Sequence, residues 1–331
     1  MPAPEALDGN EMSLDNATTT LVVNPTAGRG RALKILPKVM NELLRGLPEG
    51  SLRVYQANSY QEAQRFCEEA VATARQTADA RDGLVVMGGD GIMHLGVNAA
   101  GGTGVPVGMI PAGTGNDMCR SLGIPLDPIR AARVIADGHL RRVDLSSVVG
   151  KLAHGATHRY VGTVVGTGYD ARVGLRGALM AKAWGSLAYA AAALAELRHF
   201  EPLHYRIRID GQERELPAMF IAVANGGYYG GGMHVAPTAS VTDGLLDVTI
   251  VHPVSKMTLL RLLPRTFDGG FVSDPAVECL RAREIVLDGD KLVGVGDGEA
   301  LGQPTFGITC EPGALSVFVP NPDPLTKRRK K

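Results

Sequence analysis

The 331-residue chain has no excess of either charge, with 34 Lys and Arg against 34 Asp and Glu. This balance excludes a global pull toward nucleic acid or an anionic membrane, so any such attraction must be local. Cysteine is sparse and dispersed. Cys67, Cys119, Cys279 and Cys310 form no CxxC pair, which removes the common zinc and redox motifs and leaves the reduced thiols of a cytoplasmic protein as the expectation. No apolar run reaches membrane-spanning length. The longest, "LAYAAAALAEL" from Leu187 to Leu197, is too short and holds Glu196. The opening "MPAPEALDGNEMSLDNATTT" lacks the basic start and apolar core of a signal peptide, and residues 1–17 are expected to form a disordered leader. Repeats and low-complexity tracts are missing, as are GxxxxGK[ST] and GxGxxG, the two common nucleotide fingerprints. The histidines outside the glycine loops show no HxxxH pairing and suit surface or structural roles.

What is present is an ordinary globular composition, 45% hydrophobic and 21% charged, in a chain long enough for two domains. From Thr20 to about residue 142, strand-like and helix-like stretches alternate: "TLVVN", a helix over 31–45, "SLRVYQA", a helix over 60–78, "GLVVMGG", a helix from Ile92, "VPVGMIP" and a helix near 127–136. Such alternation predicts a parallel sheet with helices on both faces. From 143 to 322 the pattern changes to short strands separated by turn residues, predicting an antiparallel sandwich. Two helices interrupt it, over Val173–Phe200 and Ser255–Phe267. Their apolar stripes suit core packing, although the first could also line a lipid groove. The end, 323–331, is a basic tail expected to be disordered.

Three glycine loops follow strands of the first half: "NPTAGRG" (Asn24–Gly30), "GGDG" (Gly88–Gly91) and "PAGTGND" (Pro111–Asp117). Strand C-terminal ends are where open α/β sheets bind ligands. Glycine lets backbone approach a ligand closely, and N–H groups at a helix start suit an anion. Arg29 adds positive charge. Asp90, Asn116 and Asp117 are polar groups for a nucleotide site or helix caps. Further on, Asp243 in "SVTDGLLDV" precedes a turn glycine, compatible with a hard-cation site or a plain Asp-Gly turn. "GDGE", ending at Glu299, suits a hairpin turn.

The ordered set "NPTAGRG", "GGDG", "PAGTGND", "TDGLLDV" and "DGE" resembles the diacylglycerol kinase catalytic family, which includes bacterial soluble lipid kinases and sphingosine kinases. The resemblance covers about Thr20 to Pro320. It implies an α/β nucleotide-binding domain like that of NAD kinase and phosphofructokinase, a β-rich second domain, and a site between them. It implies ATP as phosphoryl donor, Mg2+, a lipid acceptor at a membrane surface reached by peripheral contact, and no nucleic acid. A homodimer stays open. By position, Gly88, Gly89, Asp90 and Gly91 match the nucleotide loop, and Thr114 a nucleotide-contacting threonine. Asn24, Gly28, Arg29, Asn116 and Asp117 complete that site. Glu299 matches the general base, with Asp297 as its stand-in and Asp90 as a second catalytic residue. Ser240, Asp243 and the carbonyl of Leu245 match a structural Mg2+ site, with Asp247 nearby. The chain departs from the family where Thr or Ser and then Asn-Glu are usual, carrying Ile92, His94 and Leu95. His94 is expected to donate to phosphate, cap the helix or lie at the surface. Alternatives to the lipid kinase are an NAD kinase-like enzyme with a soluble acceptor and a non-catalytic nucleotide- or lipid-binding regulator.

Overall fold

The structure, a computed structural model, describes residues 19–76, 82–169, 171–176, 192, 195–196 and 201–321. The expected leader, the basic tail at Lys327–Lys331 and most of the helix expected over Val173–Phe200 lie outside these residues.

Strands β1 (Thr19–Val23), β2 (Leu52–Gln56), β3 (Leu84–Gly88) and β4 (Pro106–Pro111) form a parallel sheet in the order β2-β1-β3-β4. β1 and β3 are buried at every position, as central parallel strands covered on both faces must be. Alternate side chains go to opposite layers. Leu21, Val23, Val85 and Met87 pack with helices α1 (Ala27–Leu43) and α5 (Pro128–Ala136). Val22, Leu84 and Val86 pack with α2 (Tyr60–Ala74) and α3 (Asp90–Ala100). A short helix, α4 (Asp117–Leu122), starts where the third glycine loop ends.

The expected boundary at residue 142 falls inside a strand. β5 (Leu140–Gly150) leaves the α/β half and continues into the β-rich half. β6 (His158–Val161), β7 (Val164–Gly168), β8 (Leu203–Ile209), β9 (Gln212–Ala218) and β10 (Phe220–Ala224) follow. A two-stranded hairpin, β11 (Tyr228–Tyr229) with β12 (Met233–His234), precedes β13 (Leu246–Val251), helix α6 (Lys256–Arg265), β14 (Val277–Ala282), β15 (Glu284–Asp288), β16 (Gly294–Gly296) and β17 (Glu299–Gly302). The last strand, β18 (Phe306–Phe318), pairs antiparallel with β5 and β15 and parallel with β4, Ser316 opposite Pro106. One sheet therefore runs through both halves, β2-β1-β3-β4-β18-β15-β8-β9. A second, antiparallel sheet, β14-β13-β10-β7-β16-β17, lies against its β-rich part. Ile207, Ile285 and Ile308 of the first sheet meet Val165, Val223, Val248 and Leu301 of the second. The predicted α/β domain and antiparallel sandwich are both present. α6 covers the far face of the second sheet with Leu259 and Leu262.

Candidate active site

The three glycine loops do more than lie at one sheet edge; they interlock. A Cβ on Gly28 would come within 2.5 Å of the Ala112 carbonyl oxygen, one on Gly113 within 2.4 Å of the Gly89 Cα, and one on Gly88 within 3.2 Å of the Asn24 Cβ. The first two approaches, both to backbone, require a residue without a side chain, and the third is tight. Asn24 holds its own loop, accepting from the Thr26 N–H at 3.0 Å and hydroxyl at 2.8 Å. Arg29 is exposed, at φ 59, a left-handed conformation that costs a residue with a Cβ roughly 1–2 kcal/mol. Thr114 is exposed at the tip of the third loop.

Asp90 begins α3, and its carboxylate reaches across to the third loop. Oδ2 accepts from the Asn116 N–H at 2.9 Å and Oδ1 from the Asp117 N–H at 2.7 Å. Asp90 is thus a strut between two loops. Burial pushes its carboxyl above the usual range, against the pull of those N–H groups. Asp117 is 6% exposed. Its Oδ2 accepts from the Gly231 N–H at 2.8 Å, whereas its Oδ1 has no hydrogen-bond partner among the described residues and lies 3.8 Å from Arg120 Nε. Burial first, then the charge of Asp90, push Asp117 up to about 7; the Gly231 bond and Arg120 act the other way.

Asp297 precedes the turn that carries Glu299. It is buried, at φ 51, and accepts from the Gly162 N–H at 2.9 Å, the Thr163 N–H at 2.8 Å and the Thr163 hydroxyl at 2.6 Å. His94 Nδ1 completes the set at 3.1 Å. Burial acts to raise this carboxyl, but the bonds from His94, Thr163 and Gly162 together hold it below the usual range. With its oxygens occupied in this way, Asp297 does not fit the role of stand-in base. His94 corrects another expectation, because it is 0% exposed and its ring is engaged by Asp297. Asn98, one turn on, donates to the carbonyls of His94 and Tyr160, each at 2.9 Å, and accepts from the Tyr160 N–H at 2.9 Å. α3 is thereby clamped to β6 and to the turn before β17.

Glu299 hangs over the start of α3, where a Cβ on Gly91 would meet its Oε1 at 3.0 Å. Beside it lies a cavity of mixed lining, the more polar of two at this helix start, with Asn24, Thr26, Ser59 and Tyr60 on its polar side and Ala63, Ile92 and Leu95 on its apolar side. Burial and the Glu299 charge raise the Tyr60 phenol, and a hydrogen bond with Arg159 works against them. On the other side of the same helix start is a second cavity. Met118, Val164, Val295 and the backbone of Gly166, Gly230 and Gly231 form its walls, and Asp90, Asp117 and Asp297 its acidic end. Tyr60, Arg159 and Thr163 carry no motif; Thr163 lies 134 residues from Asp297, so only the fold could reveal it.

The residues expected to hold structural Mg2+ lie away from both cavities. The Asp243 carboxylate accepts from the Leu245 N–H at 3.1 Å and is paired with Arg281. Ser240 Oγ faces the Thr242 hydroxyl at 3.4 Å. Asp247 accepts from the Thr238 hydroxyl at 2.6 Å and also faces Arg281. The turn is tied down by Asp144, which accepts from the Gly244 and Gly313 N–H groups, each at 2.8 Å. A guanidinium already neutralises the expected ligand carboxylate, and no group of three or more His, Cys, Asp or Glu residues suited to a metal occurs among the described residues. These donors do not fit a resident cation.

Comparison with known proteins supplies a family. Residues 18–148 match the model of the diacylglycerol kinase catalytic domain, and residues 163–319 match that of the YegS C-terminal NAD kinase beta sandwich-like domain. A diacylglycerol kinase of Mycobacterium tuberculosis is 33% identical over 304 residues, 91% of this chain and 94% of the relative. A "probable lipid kinase YegS-like" of Pseudomonas aeruginosa is 32% identical over 274 residues, 80% of this chain and 84% of the relative. The crystal structure of a diacylglycerol kinase from Bacillus anthracis superposes with a TM-score of 0.72 at 24% identity, over 92% of this chain and 97% of that one. At that identity the likeness concerns the fold alone.

Proposed function

The chain belongs to the diacylglycerol kinase family, a family of kinase enzymes, and on that premise we propose that it transfers the γ-phosphoryl group of ATP to the primary hydroxyl of diacylglycerol or a related lipid. The product is phosphatidic acid or a similar phospholipid. The observation that carries this reading is the pair of cavities meeting at the start of α3. The polar one, bordered by the first and second glycine loops, suits a nucleotide; the apolar one, walled by the β-rich half, suits a lipid headgroup. The N–H groups at the start of α3 stand between them, where an anion is favoured. ATP arrives with its own Mg2+ as the substrate form.

In this reading Asp90 holds the second and third loops in register at the acidic end of the acceptor cavity. Glu299, over Gly91, takes the proton of the acceptor hydroxyl. The hydroxyl oxygen then bonds to the γ-phosphorus while the bridging bond to ADP breaks with its electron pair. Asp117 forms part of the acidic end of the acceptor cavity. We place the acceptor in a bilayer that the protein reaches by peripheral contact from the cytoplasmic side, as the lipid substrate of this reading requires; no described helix is long and apolar enough to cross a membrane.

The decisive assay supplies ATP labelled at the γ-phosphate with a panel of diacylglycerol, sphingoid base and ceramide in mixed micelles, and NAD as a soluble acceptor. Label is expected in an organic-phase phospholipid. Label found in NAD alone overturns the lipid reading.

A further inference from the structure

Helix α6 has an unusual outer surface. Its inner row, Leu259 and Leu262, is buried against the second sheet. A surface helix ordinarily turns polar residues outward. Here Met257, Leu260, Pro264 and Phe267 follow one another at spacings of three, four and three, which places them on one outward stripe. Met257 is 58% exposed, Leu260 37% and Phe267 56%. Eight large hydrophobic side chains are left exposed among the described residues, and these three fall within 257–267 while the other five are scattered. Such clustering marks an interaction surface.

The charge on the helix is one-sided. Its ten residues, KMTLLRLLPR, contain Lys256, Arg261 and Arg265 and no acid. Two aspartates lie beyond its end. Asp268 accepts from the Gly270 N–H, and Asp274 comes within 4.0 Å of Arg265. Arg265 also donates to the Gly270 carbonyl at 2.6 Å. An apolar stripe bordered by cations is the composition of a helix lying in the interface of an anionic bilayer.

The position of α6 joins it to the apolar cavity. The Thr266 carbonyl, at the end of α6, accepts from the His234 N–H at 2.7 Å. His234 belongs to the β11–β12 hairpin and stacks on Tyr228 with ring centroids 4.2 Å apart. The same hairpin carries Tyr229, Gly230 and Gly231, which line the cavity, and Gly231 donates to Asp117. A bilayer against α6 would lie one hairpin away from the acidic end of that cavity.

We propose that the outward stripe of α6, Met257, Leu260, Pro264 and Phe267 with Arg261 beside them, is the surface by which the protein docks on an anionic lipid bilayer. The proposal rests on the lipid-acceptor reading above. The test compares the full-length protein with the Met257→Ser/Leu260→Ser/Phe267→Ser variant and with Arg261→Glu. Each is sedimented with vesicles of phosphatidylglycerol and phosphatidylcholine, and each is assayed on long-chain diacylglycerol in those vesicles and on monomeric dioctanoylglycerol in solution. The triple variant should lose vesicle binding by at least about tenfold, with vesicle-borne turnover falling in parallel. Its melting temperature and its rate on dioctanoylglycerol should stay at wild-type values, because the three side chains are exposed and remote from Glu299. Arg261→Glu should weaken binding to anionic vesicles and leave the weak binding to neutral ones unchanged. Wild-type vesicle binding by the triple variant overturns the proposal. So does a change in oligomeric state on a sizing column with vesicle binding intact, which would make the stripe a contact between copies. Vesicle binding abolished by the substitutions, in a protein that phosphorylates no lipid, supports the surface and overturns the kinase reading.

Discussion

The polar and apolar cavities both border the start of α3 and differ in which half of the chain lines them. The polar cavity is made by loops that close over short sequence distances, Asn24 to Thr26 and Asn58 to Tyr60, with Glu299 arriving from the far half. The apolar cavity is lined mainly from the β-rich half, by Thr163, Val164, Tyr229, Val295 and several glycines, with Met118 and the buried Asp90 and Asp117 from the α/β half. Glu299 faces the polar side, and Asp117, with one buried oxygen that has no hydrogen-bond partner among the described residues, lies on the apolar side. The other two, Asp90 and Asp297, are held by N–H and O–H donors. An acid near phosphates is therefore uninformative until its hydrogen bonds are counted.

The sharpest way to break this comparison is to remove one charge from each side. Glu299→Gln should lower kcat on lipid by on the order of 10²–10⁴, with ATP affinity nearly unchanged, as measured by steady-state kinetics and nucleotide titration. Asp117→Asn should have a smaller effect on kcat and a larger effect on the KM for lipid. The reverse ranking would transfer the proton acceptor to the apolar side.

Next in size is the clamp that joins the cavities. His94→Leu leaves Asp297 buried without its ring partner and should destabilise the fold by about 3–5 kcal/mol in urea unfolding, the usual loss on breaking a buried pair. His94→Asn, the residue usual in the family at that place, keeps a donor and should recover most of the loss. Equal stability of the two variants would show that the contact with Asp297 contributes nothing.

A pH titration probes Asp117 directly. Its carboxyl titrates near 3.8 in the unfolded chain and at about 7 in the folded one. Between those values the folded state holds the extra proton, so this group's contribution to stability falls as pH rises from about 4 to 7 and stays low above. Asp90 adds to the effect and Arg120 opposes it. Asp117→Asn should therefore raise the melting temperature at pH 8, and the gain should shrink toward pH 5. A gain independent of pH would mean that Asp117 does not carry the shifted titration.

The smallest effect is expected at Asp243. With Arg281 as its counterion, chelator should leave the melting temperature of the nucleotide-free protein unchanged, and Asp243→Asn should cost about 1 kcal/mol or less. Stabilisation of the nucleotide-free protein by added Mg2+ that disappears in Asp243→Asn would restore the metal site implied by the family pattern.

Much of the architecture was legible in the sequence because it depends on period and punctuation. Buried runs such as "LVVMG" followed by glycine and a 3.6-residue pattern mark β3 and α3, and Asp127 before Pro128 marks the start of α5. The glycine loops were legible as a ligand edge. Their interlocking was not, because the approach of Gly28 to Ala112 joins residues that no local pattern relates. Sequence also placed Asp90 and Asp297 among groups available for chemistry. Their partners, the Asn116 and Asp117 N–H groups and Thr163, come together only after the sheets pair. His94 looked like a loss from the family pattern. Its ring lies where the two halves meet, a placement visible only once β6 and the turn before β17 are known. Residue 142, where the composition changes, lies within β5, which runs on through that change.

β18 has a consequence for the order in which the protein can be made. Its pairing with β4 supplies the last neighbour of the parallel sheet, yet it lies almost the whole of the second half further along the chain. Until it pairs, β4 is an open, wholly buried-type edge flanked by finished strands, the arrangement most prone to pairing with another chain. The nascent nucleotide-binding half must wait, incomplete and in need of shelter, for nearly all of the second half to be synthesised. Expressed alone as residues 18–148, that half would keep its glycine loops and lack the strand that closes its sheet.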